Sequence, residues 1–259
     1  MRIVVYIALA KRYDLHPILA DTCAQLSDIS GELDIDLRFH FIYSEKVEYG
    51  ILTKMLDLSG VKVSAITSNY CKNMPLGRKF NSGLEHLFEI NRSKKIDYIF
   101  QCGCDDSIDP ELLVKALPYL RENTEIVGCK NLKIVKFGTT ETKYRQFDKV
   151  FGAGRFLRFD LVEKAAKVAI CVGKVSNSSG MHRGGLWVTP ESKYNPKIHD
   201  LIKYDVQLWP DQRNSGLDWC SEMAIRKRCY DFEPVAIDQN KYYVTDYKTE
   251  QNIHLFDSF

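Results

Sequence analysis

Roughly the first 110 residues alternate short apolar runs with stretches whose apolar residues recur at helical spacing. The apolar runs occupy positions 3–9, 35–43, 61–66 and 97–103. Such runs are typical of strands that are buried on both faces of a parallel sheet, and the stretches between them predict crossover helices. The first of these helices should end at Gly31. We therefore expect an α/β fold with a Rossmann-like, mostly parallel sheet flanked by helices.

The second part of the chain is less regular. Asp109 and Pro110 are typical of a helix start. Beyond them, the hydrophobic spacing predicts one strand and two helices, at 125–135, 159–169 and 217–229. Positions 136–150 have no clear period, and the tail at 235–259 suggests a short strand and an extended end. No linker or repeat interrupts this pattern, so we expect a single domain over residues 1–259.

Charge and cysteine content argue against several classes of protein. The formal net charge of +2 disfavours constitutive binding of nucleic acid through its phosphates. The eight cysteines form no Cys-x-x-Cys pair, so a structural zinc site is disfavoured and free thiols in a reducing compartment are expected. The N-terminal apolar run is too short for a membrane span and lacks a signal-peptide cleavage site. These features predict a cytoplasmic protein without a transmembrane segment.

Asp105 and Asp106 directly follow the predicted strand at 97–103. Ligands of open parallel sheets bind beyond the carboxyl ends of the strands. Two adjacent carboxylates there repel each other, and a divalent cation relieves the repulsion. Hard oxygen ligands suit Mn²⁺ or Mg²⁺, and such an ion can neutralise a nucleotide diphosphate. The alternative is a turn with a helix cap, although Asp109 already supplies the cap.

The run at 97–113, Asp-Tyr-Ile-Phe-Gln-Cys-Gly-Cys-Asp-Asp-Ser-Ile-Asp-Pro-Glu-Leu-Leu, resembles the core of GT-A fold glycosyltransferases of the family 2-like type. In that family a strand ends in an acidic metal motif, usually Asp-x-Asp, and a helix follows. Here the frame reads Cys104-Asp105-Asp106, so the first acid is absent. The resemblance implies that Asp106 is the metal ligand and that Asp105 lies near the ribose or the metal, with the two roles interchangeable.

The same resemblance implies a nucleotide-binding half at residues 1–107. Around the base and ribose it places three residues, Ala8, Arg12 and Asn69. The segment 73–83 resembles the start of the helix that precedes the acidic motif, which implies that Arg78 or Lys79 contacts the diphosphate. A solvated pair of cations is the alternative for these two side chains.

Residues 108–259 would then form the acceptor half and the C-terminal tail. The segment 151–160, Phe-Gly-Ala-Gly-Arg-Phe-Leu-Arg-Phe-Asp, is similar to the family segment that leads into the acceptor half. Its glycines let the backbone approach a sugar closely. Arg155 would contact the phosphate or the sugar of the donor.

Two later segments carry the remaining implied residues. In 214–222, Asp218 would take the proton from an acceptor hydroxyl, with Glu222 as the reserve; an ordinary acid at a helix start is the alternative. Near the C-terminus, His254 would return to the metal, as a late histidine does in some members of the fold. A structural or exposed histidine is the alternative there.

The function implied is a metal-dependent glycosyltransferase that moves a sugar from a nucleotide diphosphate sugar donor to a hydroxyl acceptor. The acceptor is a glycan, a lipid-linked sugar or a modified base in DNA, the last through a basic patch at 226–228. A noncatalytic nucleotide- or sugar-binding module of the same fold is a second hypothesis. A nucleotidyltransferase is a third, disfavoured because the segment 8–14 after the first strand contains no glycine. A dehydrogenase lacks its Gly-x-Gly-x-x-Gly motif here.

Overall fold

The computed structural model describes residues 1–72, 75–171, 186–187, 202–206, 208–209, 217–238 and 240–249. The strands in these ranges are β1 (Arg2–Ala8), β2 (Asp36–Tyr43), β3 (Ile66–Tyr70), β4 (Tyr98–Gln101), β5 (Asp106–Ile108), β6 (Ile126–Gly128), β7 (Asn131–Lys136), β8 (Thr142–Gln146), β9 (Arg155–Arg158), β10 (Lys167–Cys171), β11 (Leu186–Trp187), β12 (Ile202–Val206), β13 (Val235–Ala236) and β14 (Val244–Lys248). The α-helices are α1 (His16–Glu32), α2 (Lys46–Leu58), α3 (Leu76–Asn91), α4 (Glu111–Arg121), α5 (Phe159–Ala166) and α6 (Leu217–Arg228).

The central sheet has seven strands in the order β13–β6–β9–β4–β1–β2–β3. Neighbouring strands are parallel except at β9, which runs antiparallel to both β4 and β6. The carboxyl ends of β1, β2, β3 and β4 therefore lie at one edge of the sheet. In sheets of this kind that edge is where ligands bind.

Helices cover both faces of the central sheet. On β1, the side chains of Ile3, Val5 and Ile7 belong to one apolar cluster, and those of the residues between them belong to a second. The first cluster also contains residues of α1, α2 and α4, and the second contains residues of α3, α5 and α6. Because side chains alternate between the faces of a strand, burial on both faces produces the continuous apolar run of β1.

A smaller sheet has four strands in the order β5–β14–β7–β8. The strand β14, from late in the sequence, lies between β5 and β7, antiparallel to the first and parallel to the second. Its register places Asp246 directly opposite Asp106. A third sheet has the order β11–β10–β12, and its pairs are antiparallel.

Among the helices of the described residues, none combines the length and the apolar character that crossing a membrane requires.

The predicted α/β class with a mostly parallel sheet flanked by helices is confirmed, but the helix stop at Gly31 is wrong. Helix α1 continues through this glycine to Glu32. Asp34 takes the left-handed backbone conformation that ends the helix, with φ of 56°. An aspartate is among the few residues besides glycine that adopt this conformation readily, so the search for a glycine misplaced the end.

Two predicted strands also differ from the structure. The third strand begins at Ile66, because 63–65 form a short 3-10 helix; Val61 is buried without belonging to a strand. The predicted strand at 125–135 is divided into β6 and β7, which belong to different sheets. Apolar periodicity reports burial, and it does not say which sheet a strand joins.

Candidate metal centre

Asp105 and Asp106 lie where the chain leaves β4 of the central sheet and enters β5 of the smaller one. The backbone N–H of Gly103 donates a hydrogen bond to Oδ2 of Asp106 at 2.6 Å, so this carboxylate folds back over the end of the strand. A Cβ atom at position 103 would lie 2.5 Å from Asp106 Oδ2 and 2.8 Å from Asp105 Oδ1. The close approach of the two carboxylates to the backbone therefore requires glycine here.

The structure adds a third carboxylate, that of Asp246 on β14. One oxygen from each of Asp105, Asp106 and Asp246 lies within 4.8 Å of the others. The N–H of Tyr247 donates to the carbonyl of Asp105 at 2.8 Å, which ties β14 to the turn before β5. Sequence reasoning missed Asp246. The signal was an acid at a buried-face position in a strand of the tail, but its use required the pairing of β14 with β5.

Burial and mutual repulsion act on the protonation of these carboxylates. Burial raises the pKa of Asp106 well above its ordinary value, and the nearby charges of Asp105 and Asp246 raise it further. Burial, followed by the charge of Asp105, raises the pKa of Asp246 to about 6, although Lys248 acts in the opposite direction. Burial and nearby negative charge therefore oppose the ionisation of Asp106 and Asp246, and a divalent cation would offset both effects.

The cluster also fits a metal by the chemistry of its donor atoms. Oδ1 of Asp246 is buried and has no hydrogen-bond partner among the described residues. A buried acceptor without a partner is costly in a folded protein, and a cation would satisfy it. Carboxylate oxygens alone suit Mg²⁺ or Mn²⁺ better than Zn²⁺.

Two basic side chains flank the acidic cluster. Arg12, in the loop after β1, forms an ion pair with Asp105, and its side chain is 10% exposed. Lys248, two residues after Asp246 on β14, places its Nζ 2.6 Å from Oδ2 of that aspartate and is 8% exposed. Arg12 was predicted to lie in the nucleotide site, and Lys248 was not. Both cations lie next to carboxylates of the acidic cluster and offset part of its negative charge.

Two buried side chains, Lys79 and Glu48, form hydrogen bonds with backbone groups of the loop after β1. Lys79, in the first turn of α3, donates from Nζ to the carbonyl of Leu9 at 3.1 Å. Burial lowers the pKa of Lys79, although the nearby Glu48 acts in the opposite direction. Glu48 accepts a hydrogen bond from the N–H of Lys11 at 2.6 Å. Lys11 has φ of 58°, so the loop takes a left-handed turn without glycine.

Three further residues were predicted to bind the nucleotide, and their contact with a nucleotide remains a prediction. Ala8, the last residue of β1, is buried opposite Ile42 of β2. Asn69 accepts from the His40 ring through Oδ1 at 2.9 Å and donates from Nδ2 to Ser82 at 3.2 Å. Arg78 is exposed, in contrast to its buried neighbour Lys79.

Arg155 is fully buried next to the carboxyl end of β4, in register with Gln101. It donates from Nε and Nη2 to Oε1 of Gln101, at 3.0 and 2.7 Å, and from Nη2 to the Ser221 hydroxyl at 2.7 Å. Its guanidinium thereby joins β4, β9 and α6. The predicted contact of Arg155 with a donor remains a prediction.

The predicted acceptor-side residues lie on α6 or beyond it. Asp218 belongs to the first turn of α6, and its side chain lies outside the described residues. Glu222 is buried and accepts from Nε of Arg226 at 3.1 Å. His254 lies outside the described residues.

The basic segment at 226–228 is engaged in contacts within the chain. Arg226 pairs with Glu222, Asp231 and Glu233. Arg228 donates to a backbone carbonyl of α5, and burial lowers its pKa to about 10. These contacts leave Lys227 as the exposed cation of the three and weaken the segment as a DNA-binding patch.

No protein-family model matches this sequence. No curated protein is similar to it in sequence either. Among solved structures, the fold is similar to a 4-diphosphocytidyl-2C-methyl-D-erythritol synthase from Anaerococcus prevotii, with a TM-score of 0.39 and 14% identity over 63% of this chain and 72% of the other. A second structure of an enzyme with that name gives a TM-score of 0.41 and 12% identity, over 64% of this chain and 79% of the other. Likeness at this level assigns no activity to the chain.

Proposed function

We propose that this protein is a metal-dependent transferase whose donor is a nucleotide carrying at least two phosphates. The observation that carries the proposal is the group of Asp105, Asp106 and Asp246, which lie within 4.8 Å of one another beyond the carboxyl end of β4. The unpartnered Oδ1 of Asp246 distinguishes this group from an acidic turn that only caps a helix. Asp109 performs that capping, since its Oδ1 accepts from the N–H of Glu111 at 2.9 Å.

In this proposal the three aspartates hold Mg²⁺ or Mn²⁺. When bound, the ion supplies positive charge that stabilises a leaving phosphate. Arg12 orients the phosphates from the loop after β1. Lys79 fixes the backbone of that loop through the carbonyl of Leu9. Because the site is built on strand ends and a clamped loop, it holds the donor in one orientation, which lowers the entropic part of the barrier.

Sugar transfer is the first candidate reaction, and it rests on the resemblance to GT-A fold glycosyltransferases. The donor is then a nucleotide diphosphate sugar, and Asp218 takes the proton of the acceptor hydroxyl. Glu222 is the weaker candidate for this base, because it is buried and its Oε1 already accepts a hydrogen bond from Arg226. A modified base of DNA is the least favoured acceptor, given the internal contacts of the segment 226–228.

Nucleotidyl transfer is the second candidate reaction, and the backbone conformation of Lys11 supports it more strongly than the sequence does. In the sequence, the absence of glycine after β1 disfavours this reaction. Lys11 adopts the left-handed φ of 58° that a glycine commonly supplies in such a loop. Lys11, Arg12 and Lys79 also bring positive charge to this loop, as binding of a triphosphate requires. The missing glycine therefore no longer separates the two reactions.

A single experiment separates these functions. The protein is incubated with Mn²⁺ and, in turn, with nucleoside triphosphates and nucleotide diphosphate sugars, and the products are followed by ³¹P nuclear magnetic resonance. Sugar transfer, to water or to an acceptor, leaves a nucleoside diphosphate. Nucleotidyl transfer releases pyrophosphate. We expect one of these products with wild type and at least about a hundredfold less with Asp106→Asn.

The matched control is Lys133→Met, which changes a residue on the opposite face of the small sheet from Asp246. It should retain wild-type turnover. A metal-dependent rise in melting temperature with a nucleotide, but without product, would support the binding-module alternative. Neither a product nor such a rise with any nucleotide would contradict the proposed function.

A further inference from the structure

Two carboxylates of the acidic cluster, those of Asp105 and Asp246, each form an ion pair with a cation that is almost completely buried. Arg12 pairs with Asp105, and Lys248 pairs with Asp246. The Nε of Arg12 is buried and has no hydrogen-bond partner among the described residues. We propose that Arg12 and Lys248 are phosphate-binding side chains. Each pairs with a metal-binding carboxylate while the site is empty, and each exchanges that carboxylate for a phosphate oxygen when metal and phosphates bind together.

Lys248 is a buried cation in the small sheet, and it lies opposite a second lysine. Its register partner on β7 is Lys136, so two like charges stand opposite each other on neighbouring strands. Lys136 pairs with Glu141 at 3.1 Å, whereas Lys248 pairs with Asp246 inside the acidic cluster. Burying an ammonium group beside a proposed metal ligand costs free energy, which a function in anion binding would explain.

The charges of the cluster predict how the two ligands are coupled. When all three carboxylates are ionised, the cluster and its two cations together carry one net negative charge, and a bound divalent ion changes this to one net positive charge. A metal ion that binds alone competes with Arg12 and Lys248 for the negative charge of the same carboxylates and repels both cations. When phosphates bind with the metal, both side chains exchange a carboxylate for a phosphate oxygen. Metal and phosphates should therefore strengthen each other's binding reciprocally.

The inference rests on the proposed function, and Lys248→Met tests it by two effects of opposite sign. Removing the charge removes a competitor for Asp246, so Mn²⁺ alone should bind about tenfold more tightly. It also removes a phosphate ligand, so pyrophosphate in the presence of saturating Mg²⁺ should bind about tenfold more weakly. A lysine that only stabilised the sheet would, when replaced, weaken both.

The measurements are Mn²⁺ titration by electron paramagnetic resonance and pyrophosphate titration by calorimetry, on the full chain. Lys248→Arg keeps the charge and should bind both probes within a few-fold of wild type, which guards against misfolding of Lys248→Met. Lys133→Met, on the opposite face of the same sheet, should leave both affinities unchanged.

The outcomes distinguish a failure of the proposed function from a failure of the inference about Lys248. If wild type binds neither Mn²⁺ nor magnesium pyrophosphate, the proposed function fails and this inference fails with it. In a second outcome, wild type binds both probes, but Lys248→Met weakens or does not change the binding of Mn²⁺ alone. The proposed metal site then stands, and the proposed exchange of Lys248 between Asp246 and phosphate is wrong. Opposite shifts, restored in Lys248→Arg, would establish it.

Discussion

Two buried polar regions lie side by side at the carboxyl end of β4, and they differ in how their atoms are satisfied. In the first, Arg155 bonds to Gln101 and Ser221 and joins two strands to a helix. The second region begins four residues after Gln101, at Asp105, and contains a cluster of three carboxylates. There, Oδ1 of Asp246 has no partner among the described residues, and burial raises the pKa of Asp106.

This contrast in hydrogen bonding indicates which of the two regions stabilises the fold. A buried polar group with its hydrogen bonds completed stabilises one arrangement of the chain. A buried group with an unsatisfied oxygen and repelling neighbours reduces stability, and proteins retain such groups where a ligand completes them. The region of Arg155 thus has the character of structure, and the acidic cluster has the character of a binding site.

The largest expected effect tests the structural side of this comparison. Arg155→Met should lower the free energy of unfolding by about 4 kcal/mol, because Gln101 and Ser221 lose their buried partner. Chemical denaturation measures this, with Arg145→Met on the exposed strand β8 as a control that should change stability by about 0.5 kcal/mol or less. If Arg155→Met were as stable as its control but bound no nucleotide, Arg155 would instead be the donor ligand that its sequence suggested.

A second test uses His40, a buried histidine whose two ring nitrogens are both within hydrogen-bond distance of side chains. The two ring nitrogens of His40 lie 2.9 Å from Thr67 Oγ1 and from Asn69 Oδ1, and the ring stacks on His86 at 5.4 Å. Burial lowers the pKa of His40 to about 4, from an ordinary value of 6.5, and the charge of His86 lowers it too. The unfolded chain therefore takes up this proton first as the pH falls.

The stability contributed by His40 is fully present above about pH 6.5 and is lost as the pH falls toward 4, by on the order of 3 kcal/mol. Comparing the denaturation midpoints of wild type and His40→Gln between pH 7 and pH 4 isolates this contribution, since other groups titrate in both. We expect the gap between the two proteins to narrow as the pH falls. A constant gap would mean that His40 is not held neutral by the fold.

The smallest effect has the opposite sign. Without metal, Asp106→Asn should raise the free energy of unfolding by about 1 kcal/mol, because it replaces a buried carboxyl group whose ionisation is opposed by Asp105 and Asp246, and it keeps an acceptor for the N–H of Gly103. Thermal unfolding measures this, with Asp57→Asn on the exposed side of α2 as the control. Added Mn²⁺ should stabilise wild type and the control but not Asp106→Asn. A loss of stability in metal-free Asp106→Asn would place the cluster with the structural region.

The sequence predicted part of the candidate site because its signals are local. Asp105 and Asp106 follow a strand directly, and Arg12 follows another, so their meeting at one sheet edge follows from parallel strand order. Asp246 and Lys248 could not be predicted in this way. They reach the site through the pairing of β14 with β5, across a long separation in sequence that no periodic pattern reports.

Three features could be predicted from the amino-acid sequence: the α/β class, the helices that cover the sheet and the acidic turn after β4. These follow from apolar periodicity and turn chemistry, which act over a few residues. The tertiary structure alone decided that β6 and β7 enter different sheets, that Lys11 supplies the left-handed turn, and that a late strand completes the acidic cluster. Those outcomes depend on which strand edges pair and which charges are buried together, and such choices are made by the whole fold.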